Sequence, residues 1–186
     1  MRELSLHILD ILQNSVEAGA SRVELILDED LENDRFSITV RDNGRGMDAS
    51  QIARATDPFF TTRTTRHVGL GLPLLAAAAE HSGGGLHITS TPGEGTTVEA
   101  VFRHSHIDRV PLGNIQGSLL AFMMSNTAGQ SCDLSYRHRV NDREFAFDTA
   151  DIRRELEGVP LSHPMVRNWL KEFISEGEKD VYEAVP

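Results

Sequence analysis

Residues 4–18 place Leu4, Ile8, Ile11, Leu12 and then Ser15 or Val16 at helical spacing, after which the pattern switches to a two-residue period. RVELILD (22–28) and FSITVR (36–41) alternate apolar and polar side chains on either side of the polar turn LENDR. The alternation returns over 86–90 and 96–103, around Pro92-Gly93-Glu94-Gly95, and a second helical stretch over 70–82 precedes it. A helix with one apolar stripe and strands with one apolar face bury those surfaces most readily against each other. The order predicts a two-layer α/β sandwich, with a mixed, largely antiparallel sheet covered by helices on one face. Gly19 and the run Gly83-Gly84-Gly85 are the expected helix stops, and Pro73 fits only in the first turn of its helix.

The remaining residues have a different texture. Helices are predicted over 115–125, 149–157 and 164–176, and a hairpin over 132–140 and 143–147 around Asn141-Asp142. Pro111 and Gly113 break any pattern in between. The expected organisation is a unit over 1–103, a linker over 104–113 and a small α/β appendage over 114–186.

The formal net charge of −10 lacks the basic footprint of a nucleic-acid binder and does not favour anionic membranes. Any ligand phosphate must be held by local geometry. No run approaches the ~20 apolar residues of a membrane span, and the first residues lack a basic-then-apolar leader, so a cytoplasmic location is expected. The single cysteine, Cys132, reads as an inert strand residue.

Four constellations carry chemistry. His7, Asp10, Asn14 and Glu17 share one face of the first helix, ordinarily a solvated face. An amide oxygen and a carboxylate one turn apart also suit a magnesium ion that keeps most of its waters. Asp42-Asn43-Gly44-Arg45-Gly46-Met47 follows a strand directly. It makes a good turn, and equally a carboxylate that accepts from an amino group beside glycines that let a flat ring approach the backbone. Asp57-Pro58-Phe59-Phe60-Thr61-Thr62-Arg63 sets two aromatics in a Thr-rich loop, as a core anchor or as the hinge of a lid with Arg63 and Arg66 facing phosphate. Gly69-Leu70-Gly71-Leu72 opens a helix, where bare N–H groups and the helix dipole favour an anion. His104 and His106 have a metal-like spacing, but a solvated strand end is the expected reading.

The order Asn14, Asp42-x-Gly44-x-Gly46, Phe59-Phe60, Gly69-x-Gly71, Gly95-Thr96-Thr97 resembles the full signature of the GHKL (Bergerat-fold) ATPases. That family unites gyrase, heat-shock chaperone, histidine-kinase and mismatch-repair ATPases, and the resemblance covers about residues 4–103. The stretch from Asp57 to Phe102 is most similar to a histidine-kinase catalytic domain; QNSVEAGAS is more similar to the mismatch-repair branch. The resemblance implies ATP and Mg2+ as ligands. It implies that Asn14 holds the metal and that Asp42 accepts the adenine amine. Gly44, Gly46 and Met47 would lie by the base, and Thr96 would support it. Phe59, Thr62 and Arg63 would belong to the lid. The backbone of Gly69, Leu70, Gly71 and Leu72 would meet the phosphates. Asp10 stands where the hydrolytic branches place a catalytic Glu, one methylene shorter. His67 replaces the first glycine of a histidine-kinase G2 box, which implies a shorter or stiffer lid.

No helical hairpin with a phosphoacceptor histidine precedes Asn14, so a kinase acting on a partner protein in trans is the first expectation. A slow ATPase or nucleotide-driven switch is the second, and a non-catalytic nucleotide-binding scaffold the third. Residues 114–186 are expected to make a homodimer contact or to meet the partner.

Overall fold

A computed structural model describes residues 3–56, 71–125 and 132–183. The chain runs α1 (Leu4–Glu17), β1 (Arg22–Asp30), β2 (Arg35–Asp42), α2 (Ala49–Arg54), α3 (Gly71–His81), β3 (Gly85–Thr91) and β4 (Gly95–Arg103). It continues through α4 (Ile115–Ser125), β5 (Asp133–Val140), β6 (Arg143–Asp148), α5 (Thr149–Glu155) and α6 (Pro164–Asp180). The expected elements are present, within a few residues at their ends.

The strands form one six-stranded mixed sheet in the order β3-β4-β2-β1-β5-β6. The four strands expected from the first unit are one part of it. β5 continues the sheet by pairing in parallel with β1, Val23 opposite Leu134 and Leu27 opposite His138, and β6 closes the far edge antiparallel to β5. The strands on either side of the 104–113 linker thus belong to one sheet.

The two-residue period decides which face is dry. Val23, Leu25 and Leu27 of β1, Phe36, Ile38 and Val40 of β2, and Val98, Ala100 and Phe102 of β4 all point to the helices. Leu4, Ile8, Ile11 and Leu12 of α1 meet them, each almost wholly buried. Each such side chain contributes roughly 1.5–3 kcal/mol relative to exposure. The opposite face is polar and laced by cross-strand ion pairs, Arg41 to Glu24 at 3.2 Å and Arg35 to Glu99 at 2.9 Å.

The first turn of α1 has no side-chain cap. The linker supplies the missing acceptors instead. Leu4 N–H donates to Pro111 O at 2.9 Å and Ser5 N–H to Leu112 O at 2.8 Å. The segment that reads as a pattern-free linker therefore fixes the start of the helix bearing Asp10 and Asn14.

Candidate nucleotide site

Asp42 ends β2, opposite Thr96 of β4 and Val23 of β1. Its carboxylate accepts from Ser15 Oγ at 3.0 Å and from Gly44 N–H at 2.8 Å. Ser15 is a buried residue of α1, so the helix and the strand end are joined through this one acid. Asn43 next to it folds the turn inward, its Oδ1 accepting from the N–H groups of Ser21 and Arg22.

Two glycines allow the turn to lie flat on the β3–β4 hairpin. Gly46 has φ +68°, and a Cβ there would sit 2.0 Å from Thr91 O. Gly95 has φ +117°, and a Cβ there would sit 1.9 Å from Asp42 O. No L side chain fits either place. Ser90 then binds the two layers. Its Oγ donates to Gly95 O at 2.8 Å, accepts from Met47 N–H at 2.8 Å and lies 2.9 Å from Thr96 Oγ1. One hydrogen and two lone pairs satisfy all three contacts, with Thr96 as the third donor.

The opposite wall is α1 against the start of α3. The Asp10 carboxylate presses on the Cα of Gly71, since a Cβ there would lie 1.7 Å from Oδ2. Asn14 follows one turn along, half-buried, and Leu72 packs on the edge of the core. His7 is not solvated as its face predicted: it is 2% exposed, and its Nδ1 has no hydrogen-bond partner among the described residues. Burial is the main cause that lowers its pKa, so the ring is neutral at pH 7. The structure thus brings Asp10, Asn14, Asp42, Gly44, Gly46, Met47, Gly71, Leu72 and Thr96 to one end of the sandwich. Phe59, Thr62, Arg63, Gly69 and Leu70 lie outside the described residues.

The donor set fits an adenine nucleotide. A fixed carboxylate stands beside backbone stripped of side chains, and an amide oxygen and a carboxylate stand near a helix start. Sequence reasoning did not find Ser15 and Ser90 as the groups that fix Asp42, Met47 and Thr96.

It also missed a second polar cluster, at the other end of β1. His104 is not a solvated strand end: its Nε2 lies 2.6 Å from Glu29 Oε2. The fully buried His138 joins Glu29 at 3.1 Å and Glu178 at 2.8 Å, and Tyr182 donates to Glu29. Tyr136 donates to Glu178 at 2.7 Å. Burial pushes the Glu29 carboxyl up, but bonds from His138, Tyr182 and His104 outweigh it and hold it at about 2. Burial pushes His138 down, but its bonds to Glu178 and Glu29 outweigh that and hold it at about 9. One signal was available: Glu29 has the same inward parity as Val23, Leu25 and Leu27. Cys132, expected in a strand, lies buried just before β5, and burial raises its thiol to about 11.

The family described as histidine kinase-, DNA gyrase B-, and HSP90-like ATPase matches residues 2–106. The sensor protein kinase FleS of Pseudomonas aeruginosa is 36% identical over 109 residues, 59% of this chain and 26% of that protein. The signal transduction histidine-protein kinase AtoS of Escherichia coli is 34% identical over 91 residues, 48% of this chain and 15% of that protein. The chain therefore spans about a quarter or less of these relatives. A crystal structure described as the N-terminal domain of a DNA repair protein shares the fold. Its TM-score is 0.53 at 15% identity, covering 78% of this chain and 52% of that one. With its sheet, its glycine-lined turn and this match over more than half its length, the chain belongs to the histidine kinase-, DNA gyrase B- and HSP90-like ATPase family.

Proposed function

We propose that this chain binds ATP with Mg2+ and acts as a histidine-kinase-like regulatory kinase on a partner protein in trans, in the cytoplasm. The observation that carries the reading is the Asp42 carboxylate, fixed by Ser15 and Gly44 N–H beside a turn that admits no side chain at Gly46 or Gly95. Asp42 accepts the exocyclic amine of adenine. Gly44, Gly46 and Met47 lie along the base, and Thr96, held by Ser90, flanks it. Asn14 holds the metal. Backbone of Gly69, Leu70, Gly71 and Leu72 receives the phosphates, with Phe59, Thr62 and Arg63 in the covering segment. Bound Mg2+ neutralises charge on the transferring phosphoryl group. In this reading residues 1–103 hold the nucleotide, 104–113 connect, and 114–186 meet the partner.

Two measurements test it in sequence. Titration calorimetry with Mg·ATP is expected to give saturable heat; a folded sample that gives none sinks the nucleotide site. Incubation with γ-labelled ATP and fractionated native extract is then expected to label another protein. Intact ATP binding with label on no protein in any fraction removes the kinase reading.

The contact of Asp10 with Gly71 favours a second reading, a slow ATPase or nucleotide-driven switch. Asp10 then activates water at the mouth of α3. Phosphate release by Asp10→Asn is expected to fall well below the parent; equal turnover excludes Asp10 as the base.

A further inference from the structure

α6 carries more apolar surface than the core uses. Val166, Leu170, Ile174 and Gly177 are its buried stripe. Beside them Met165, Trp169 and Phe173 form a second stripe at four-residue steps. Met165 is 76% exposed and Trp169 47%, and Trp169 is stacked on Phe173 with ring centroids 5.1 Å apart. Phe173 meets Phe145 and Phe147 of β6, so the stripe runs from the helix onto the sheet. Scattered exposed apolar residues are ordinary; a continuous aromatic strip on an outer helix is not.

The strip borders an open strand. β6 is the last strand of the sheet, and among the described residues nothing pairs with its outer side. The two-residue turn Asn141-Asp142 makes Val140 and Arg143 a hydrogen-bonded pair, so Arg143, Phe145 and Phe147 turn their backbone groups to β5. Glu144 and Ala146 turn theirs outward. An open cleft of about 230 Å³ lies between this edge and α6, lined by Phe145, Gly177 and Val181 among others. Arg143 closes one end, its Nη1 donating to Asp180 O at 2.9 Å.

The rim is acidic. Glu172, Glu176 and Asp180 fall on the same flank of α6 as the aromatic stripe and are exposed; Glu144, also exposed, alternates with Phe145 and stands on the other face of the sheet. Arg167 and Lys171 lie on another flank, Lys179 pairs with Glu183 at 2.8 Å, and Arg137 approaches Glu144 only to 3.7 Å. A second copy on this edge would set these carboxylates against themselves, in a chain already at −10.

We infer that the β6–α6 edge is a docking surface for an extended segment of a partner protein that carries apolar and basic residues together on one face, at every second position. The segment adds a seventh strand through the outward backbone groups of Glu144 and Ala146. The side of that strand facing α6 carries both apolar side chains, which lie on Trp169 and Phe173, and basic ones, which meet Glu172, Glu176 and Asp180. This surface does not depend on the nucleotide reading, and its test uses no ATP.

Trp169 is the chain's one tryptophan, so its fluorescence reports the surface directly. A seven-residue peptide, Val-Thr-Lys-Thr-Val-Thr-Lys, is the probe, its valines and lysines on one face, with a glutamate-for-lysine peptide as its counterpart. The full chain is expected to give a saturable blue shift with the lysine peptide, weaker in high salt, and none with the glutamate peptide. Ala146→Pro removes an outward N–H without touching the β5 ladder, and is expected to weaken binding at least tenfold. Glu172→Lys combined with Glu176→Lys, both on the exposed helix face, is expected to weaken it similarly and decides alone if Ala146→Pro does not fold by circular dichroism. Three results overturn the inference: equal binding of both peptides, unchanged binding by a folded Ala146→Pro, or a dimer of the parent chain that Ala146→Pro dissociates.

Discussion

The Asp42 carboxylate is held by two hydrogen bonds, so on the proposed reading an adenine amine would meet a group already in place. Asp42→Asn removes the charged acceptor and should cost ~1.5–3 kcal/mol of ATP binding, roughly tenfold to a hundredfold in Kd by calorimetry. Unchanged affinity would place the base elsewhere. Gly46→Ala meets both a positive φ and the Thr91 carbonyl, and should lower stability by at least ~1–2 kcal/mol in urea unfolding. At this scale much was legible, because Asp42, Gly44 and Gly46 follow one strand closely in sequence. Ser15 was not: a hydroxyl on an apolar helical stripe reads as a filler position. Glu29, His104 and His138 were not either, because only the fold brings together residues so far apart in the chain.

Periodicity made the elements themselves readable, since each of α1, β1, β2 and β4 buries a face, and β3 lays Leu86 and Ile88 against the core, with a spacing written locally. The parallel pairing of β1 with β5 was not readable, because it joins segments about a hundred residues apart and no turn announces it. The contact between α1 and α3 belongs to this scale too. Gly71→Ala drives a methyl group into the Asp10 carboxylate, the movable end of a side chain. Alanine also favours the helix. Thermal stability should therefore stay close to the parent, while any ATP turnover that depends on Asp10 falls. A large loss of stability, with the melting temperature well below the parent's, would mean that the helices, and not the carboxylate, give way.

The whole molecule is pinned by the buried cluster of Glu29, His138, Glu178, Tyr136, Tyr182 and His104. It ties β1, β5, α6 and the residues after β4 into one body. His138→Ala leaves the buried Glu29 and the partly buried Glu178 without their cation and should cost ~3–5 kcal/mol in chemical unfolding. The pH dependence follows from the signs. His138 is raised from 6.5 to about 9, so its contribution is complete below pH 6.5 and is lost as pH rises through 9. Glu29 is lowered from 4.5 to about 2, so its contribution is present above pH 4.5 and is lost as pH falls through 2. Melting temperature against pH should show both declines in the parent. In Glu29→Gln the alkaline decline should shrink, since His138 keeps only Glu178; an identical profile would remove the cluster as their source.

The carbonyls of Pro111 and Leu112 that close the first turn of α1 have a practical consequence for anyone who wishes to transplant this module. A graft cut at residue 103 would carry the helix bearing Asp10 and Asn14 but leave its leading amides to water, free to fray. Any portable piece must therefore include the linker at least through Leu112.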